Sequence, residues 1–121
     1  HWLTPFEPPV GPLRTHPAVA AYVKALQSVD RSADTMNPYT EGAYAGMAVL
    51  IEAIGRAGPS PTRATIAETL RSGEYDVGLT NPLRWRPSRS EANRSMRPLR
   101  IVVTAGGFGG WRLGGERVTD R

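Results

Sequence analysis

The chain has 121 residues, enough for one small domain, with 40% apolar residues and a net charge of +4. It has no cysteine, which excludes disulfides and thiolate chemistry, and no apolar run near the roughly 20 residues that a bilayer-crossing helix needs. With 13 Gly and 11 Pro, the composition fits a folded centre with loose ends rather than a disordered chain.

Residues 1–15 should form an extended lead-in, because Pro5, Pro8, Pro9 and Pro12 fix φ and remove N–H donors. Trp2, Leu3 and Phe6 are too apolar for a solvated tail. They should lie across a surface of this domain or of polypeptide beyond it. The chain opens at His1 rather than Met and shows no signal peptide, which reads as a processed product or a piece of a longer one.

A first helix starts near Pro17, capped by Thr15 or His16. Val19, Tyr22, Val23, Leu26 and Val29 follow the i, i+3, i+4, i+7 rule and predict one buried stripe. Asp30 to Thr35 reads as a polar connection. A second helix opens at Asn37-Pro38, where Asn accepts from free N–H groups and Pro suits the first turn. Tyr44, Met47, Ala48, Ile51 and Ile54, widened by Leu50, are its expected core face. Gly42 and Gly46 each cost about 1 kcal/mol of helix propensity relative to Ala, so they predict a close neighbouring backbone. Gly58 should end the helix in a left-handed cap.

A third helix runs from Ser60-Pro61 or Thr62 to about Arg71, with Ile66, Ala67 and Leu70 inward and Gly73 as its stop. The period then changes. Leu83 and Trp85 alternate with Arg84 and Arg86, which predicts a short strand, and Pro87-Ser88-Arg89-Ser90 a turn. Leu99 to Thr104, LRIVVT, carries the strongest strand signal. The AGGFGG that follows reads as a flexible connection, with Trp111 to Leu113 as the hairpin partner. Residues 114–121 read as a frayed tail.

No complete catalytic motif is present. GGFGG lacks the Lys-Ser/Thr and following helix of a phosphate loop, and there is no Gly-x-Ser-x-Gly elbow. His1 and His16 have no metal-ligand spacing and read as surface or cap residues. Asp30, Asp34 and Glu41 form a carboxylate site only if the fold gathers them. Positive charge comes from 14 Arg against the single Lys24. Their spread suits the coding bias of a GC-rich genome better than a nucleic-acid footprint. The densest run is Arg84, Arg86, Arg89, Arg94, Arg97 and Arg100, with Trp85 inside it. It reads as a solvated face or inter-lobe salt links; the rivals are stacking on bases, an anionic lipid surface and an acidic partner.

The helix GAYAGMAVLIEAIGRAG, then PSPTRATIAETLRSGEYD, then VGLTNPLRWRPS, then a strand, a turn and a Trp, resembles the C-terminal third of type I periplasmic solute-binding proteins. The group is that of the branched-chain amino-acid binding proteins of ABC transporters and their amide-sensing relatives. The resemblance covers roughly residues 16 to 113. It implies an α/β fold: three helices followed by a short strand and a β-hairpin, as the C-terminal part of a two-lobed protein. Residues 16–80 are then the helical part of one lobe and 81–113 the hinge strand and terminal hairpin, the helices flanking a parallel sheet built largely elsewhere.

The resemblance also implies a site. Tyr39 falls where the family often puts an aromatic at the cleft wall, offering apolar area and a polar tip; the plain reading is packing at a helix start. Thr40 and Glu41 beside it lie at a helix N-terminus, whose free N–H groups suit a carboxylate ligand. Glu41 could bind an ammonium group, or more simply complement the helix dipole as a charge. Tyr44 reads as core. The implied function is capture of an amino acid, amide or similar small solute by hinge closure, with no cofactor and no catalysis. Implied partners are an ABC permease and the rest of the two-lobed protein, in the periplasm or outside the cell, with a lipid anchor as an option. The alternatives are a ligand-sensing cytoplasmic regulator of the same fold and a small basic nucleic-acid-binding module.

Overall fold

The computed structural model describes residues 2–85 and 95–119. His1, the Pro87–Ser90 turn and Arg86, Arg89 and Arg94 of the basic run lie outside the described residues. Among the described residues the fold is α/β, with three helices, one antiparallel sheet and a two-stranded ribbon.

Strand β1 (Trp2–Thr4) and a 3-10 turn (Gly11–Thr15) occupy the segment expected to be wholly extended. The prolines permit both. Pro12 sits in the first turn of the 3-10 element, where a missing N–H costs nothing. The backbone N–H of Glu7 donates to the Leu79 carbonyl at 2.7 Å, which ties the lead-in to the chain beyond the helices.

Helix α1 (Pro17–Val29) has His16 at its cap, without a side-chain bond. Val19 and Tyr22 are buried, and Val23 and Leu26 pack against them; Val29, at the last turn, is exposed. Helix α2 (Pro38–Arg56) is capped by Asn37 as expected. Gly58 follows it with φ +96°, the left-handed stop. Helix α3 (Arg63–Ser72) starts at Thr62, where Thr62 and Thr65 exchange side-chain-to-backbone hydrogen bonds in a capping box.

The buried face of α2 differs from the expected one. Glu41, Ala45, Val49 and Ala53 are buried, four residues apart, while Met47, Leu50, Ile51 and Ile54 are exposed. The helix is apolar nearly all round, so side-chain size misleads about its orientation. The small side chains of Ala45 and Ala53 admit α1 and Tyr75 closely, and the large ones are left outward. Of the three glycines in α2, Gly42, Gly46 and Gly55, only Gly42 has a close neighbour among the described residues. A Cβ there would lie 3.0 Å from the ring of Phe6, a side chain rather than the expected backbone; at Gly46 it would meet nothing within 4 Å.

Strand β2 (Glu74–Tyr75) pairs antiparallel with β3 (Leu83–Arg84). Tyr75 is buried against Val49 and Ala53, stacks edge-on against Trp85 at 6.2 Å and carries the Arg56 guanidinium 4.5 Å over its ring. Strand β4 (Ser95–Thr104) is the centre of the larger sheet. It pairs with β1 through Trp2–Leu99 and Thr4–Arg97, and with β5 (Gly107–Leu113) as a hairpin. The Gly-rich segment is therefore mostly strand. Gly107 (φ +103°) closes the turn, and Gly110 (φ +116°) sits at a bulge opposite Val102 and Val103. The described part of the expected frayed tail, residues 114–119, includes a paired strand. Strand β6 (Val118–Thr119) pairs with Ser95 and Met96, and Arg117 is drawn inward by Glu7.

Candidate functional site

The start of α2 is organised by two Asx-type contacts. The Asn37 side chain accepts from the N–H groups of Tyr39 (2.9 Å) and Thr40 (3.4 Å), and the Asn37 backbone carbonyl accepts from the Glu41 N–H (3.1 Å). Asp34 accepts from the Met36 N–H at 2.9 Å and shapes the approach to the helix. The first-turn donors are thus satisfied within the chain. The expected offer of free N–H groups to a carboxylate ligand does not hold, because Asn37 already supplies that acceptor.

Between this helix start and the β1–β4–β5 sheet lies a cavity of about 710 Å³. Its walls are aromatic and acidic: Trp2, Phe6, Tyr39 and Trp111, with Asp34 and Glu41. Trp2 and Trp111 meet edge to face at 5.4 Å across β4, held by the register that places both strands beside Leu99. Tyr39 stands at the rim, 87% exposed. Thr40 is half-buried and outside the lining. Tyr44 packs beneath, edge-on to Tyr22 at 5.4 Å.

Glu41 is 1% exposed, which rules out the simple reading of a solvated charge at a helix end. One of its oxygens, Oε1, has no hydrogen-bond partner among the described residues. Burial pushes its carboxyl up to about 8; the nearby Glu7 adds to this and Arg117 opposes it. The Tyr22 hydroxyl is likewise buried without a hydrogen-bond partner among the described residues and is raised to about 12 by burial, then by the charges of Glu41 and Asp34.

Glu7 has the opposite surroundings. It accepts a bidentate pair from Arg97 (2.9 and 2.7 Å) and a third bond from Arg117 (2.7 Å). Arg117 also donates to the Pro5 carbonyl (2.9 Å) and the Ser95 hydroxyl (2.8 Å). Burial alone would raise Glu7, but the two guanidinium groups outweigh it and hold the carboxyl below its ordinary value.

Of the three acids considered together from sequence, Asp34 and Glu41 share the cavity. Asp30 is elsewhere, accepting from the N–H and hydroxyl of Ser32, which hold it below the usual carboxylate range. Among the described residues no group of three or more His, Cys, Asp and Glu is placed to hold a metal ion. The three described members of the basic run are dispersed: Arg84 lies on the ribbon, Arg100 on the large sheet, and Arg97 turns inward to Glu7. Sequence reasoning missed Trp111 as a wall and the Glu7–Arg97–Arg117 cluster. The signal for the wall was the apolar Trp2 and Phe6 in a Pro-rich lead-in.

No curated protein and no solved structure gives a significant match to the chain. The periplasmic binding protein family model matches residues 3–107, so the match begins earlier than the resemblance over 16 to 113 and ends sooner, taking in most of the lead-in and α1, α2 and α3. With most of its length covered, the chain belongs to the periplasmic binding protein family.

Proposed function

We propose that the chain is the C-terminal part of a two-lobed solute-binding protein that captures a small polar solute, such as an amino acid or amide, for an ABC permease. Family membership over residues 3–107 carries this reading. The aromatic and acidic cavity beside Tyr39 and Glu41 supports it, being concave, mostly apolar and equipped with few polar groups. In this reading Tyr39 closes the rim and Glu41 supplies the polar contact, while Thr40, outside the lining, serves the helix start through its N–H bond to Asn37. The ribbon at Leu83-Arg84-Trp85 lies by the hinge. Closure follows when contacts from both lobes favour the closed state, which the permease then recognises.

The uncovered apolar face of α2, at Met47, Leu50, Ile51 and Ile54, supports completion of this fold by further polypeptide of the same two-lobed protein. The reading places the protein in the periplasm or outside the cell, without catalysis. No helix among the described residues is long and apolar enough to cross a membrane.

Trp2 and Trp111 make the cavity observable. Titration with a panel of amino acids and amides should change tryptophan emission, and Trp111→Phe should remove most of the signal while leaving calorimetric binding detectable. A ligand at 100 times its Kd should also raise the unfolding free energy by about 2.7 kcal/mol. A panel that leaves both emission and melting unmoved would sink the reading.

A further inference from the structure

The cavity's lining has a charge bias that solute capture alone does not explain. Among the described residues its ionisable side chains are Asp34, Tyr39 and Glu41, with no Arg, Lys or His. A carboxylate would find no cationic side chain among the described lining residues, and the α2 N–H groups that could have received one are bonded to Asn37. The other walls include the indoles of Trp2 and Trp111, a residue type whose π-system attracts cations. The buried Glu41 Oε1, which lacks a hydrogen-bond partner among the described residues, asks for a donor.

We propose that this cavity takes the ammonium head of a small organic amine bearing no carboxylate, with Glu41 as its counter-ion and hydrogen-bond acceptor. This rests on the solute-binding reading above and names the ligand class for that same site. Asp34 adds a second negative charge near the mouth, and the indoles of Trp2 and Trp111 cover the alkyl part. The charged groups acting on Glu41 are few. Glu7 opposes its ionisation; Arg117 favours it, with its Nε and Nη1 engaged by Glu7, Pro5 and Ser95 and its Nη2 without a hydrogen-bond partner among the described residues; Asp34 and Glu41 together act on Tyr22. A bound ammonium supplies the hydrogen-bond donor that the Glu41 Oε1 lacks. Since Glu41 holds its proton up to about pH 8, ammonium binding below that pH expels one proton to solvent.

The test uses calorimetry on the 121-residue chain with three probes of matched size: butylammonium, butyramide and norvaline. Butylammonium should bind at least tenfold tighter than the other two. Its affinity should rise by more than tenfold from pH 6 to pH 8, with one proton released per ligand at pH 6. Glu41→Gln should abolish the preference for the cation and the pH dependence. Asp34→Asn, an exposed change that keeps the Met36 contact, should weaken butylammonium a few-fold. Equal or tighter binding of butyramide overturns the ammonium assignment and leaves solute capture standing. Tighter binding of norvaline overturns the carboxylate-free class, again leaving capture intact. A cation preference that survives Glu41→Gln removes Glu41 from the role. If none of the three binds a chain shown to be folded by circular dichroism, this assignment and the solute-binding reading fall together.

Discussion

Glu7 and Glu41 sit in neighbouring regions of one small molecule and have opposite chemistry. Glu7 is in a clasp that joins the lead-in to β4 and to the segment before β6, with two arginines filling its lone pairs. Glu41 is more deeply buried and faces a cavity with one oxygen unpartnered. Both are withdrawn from water, and the number of donors around them decides the outcome: Glu7 is lowered and Glu41 is raised to about 8. A carboxylate that closes a structure is saturated with donors, whereas one left under-supplied is free to meet a ligand.

Removing the donors' target should have the largest effect. Glu7→Gln leaves Arg117, 7% exposed at its side chain, and Arg97 without their counter-ion. The expected loss is about 3 to 4 kcal/mol in denaturant unfolding near neutral pH. A loss below about 1 kcal/mol would reduce the clasp to an ordinary surface pair. The pH dependence has a definite sign. Because the folded carboxyl lies below its unfolded value of 4.5, the stability from Glu7 is present above that pH and fades as pH falls through the folded value. Glu7→Gln should flatten that acid limb.

Glu41 should behave inversely. The folded chain holds a proton that the unfolded chain releases near 4.5, so stability falls as pH rises from there to about 8. Between about pH 5 and about pH 7.5 this costs roughly 3 kcal/mol, and Glu41→Gln should recover most of it, melting higher than the parent at neutral pH and with no slope across that window. A Glu41→Gln chain that retains the slope would place its origin in another group and end the contrast between the two acids.

Much of the scaffold was legible because its signals are local. Asn37-Pro38, Gly58 and Thr62 mark helix ends by the bonds and backbone angles that only such residues supply easily, and the structure uses each that way. LRIVVT marks the central strand through its branched side chains. The face of α2 was not legible, because an apolar stripe shows that a helix is covered but not which of two apolar sides is covered first. The clasp was not legible either, since Glu7 lies 90 residues from Arg97 and 110 from Arg117. The candidate site was half visible. Tyr39 and Glu41 lie at a recognisable helix start, but the burial of Glu41 and the Trp2–Trp111 wall depend on the sheet register.

The smallest test places the same contrast on α2, between a position pressed by a neighbour and one that is not. Phe6 follows the sequence into Glu7 and lines the cavity with Glu41, and its ring lies 3.0 Å from where a Cβ on Gly42 would stand. Gly42→Ala therefore sets a helix-propensity gain of about 1 kcal/mol against displacement of that ring, and its net effect on melting should be near zero or negative. Gly46→Ala meets nothing within 4 Å and should keep the whole gain, about 1 kcal/mol. The pair is most informative where polypeptide covers the outer face of α2. If Gly46→Ala is stabilising in the 121-residue chain but destabilising in a longer product, then Gly46, like Gly42, is a contact made by close approach, and the exposed Met47, Leu50 and Ile51 beside it belong to a buried interface.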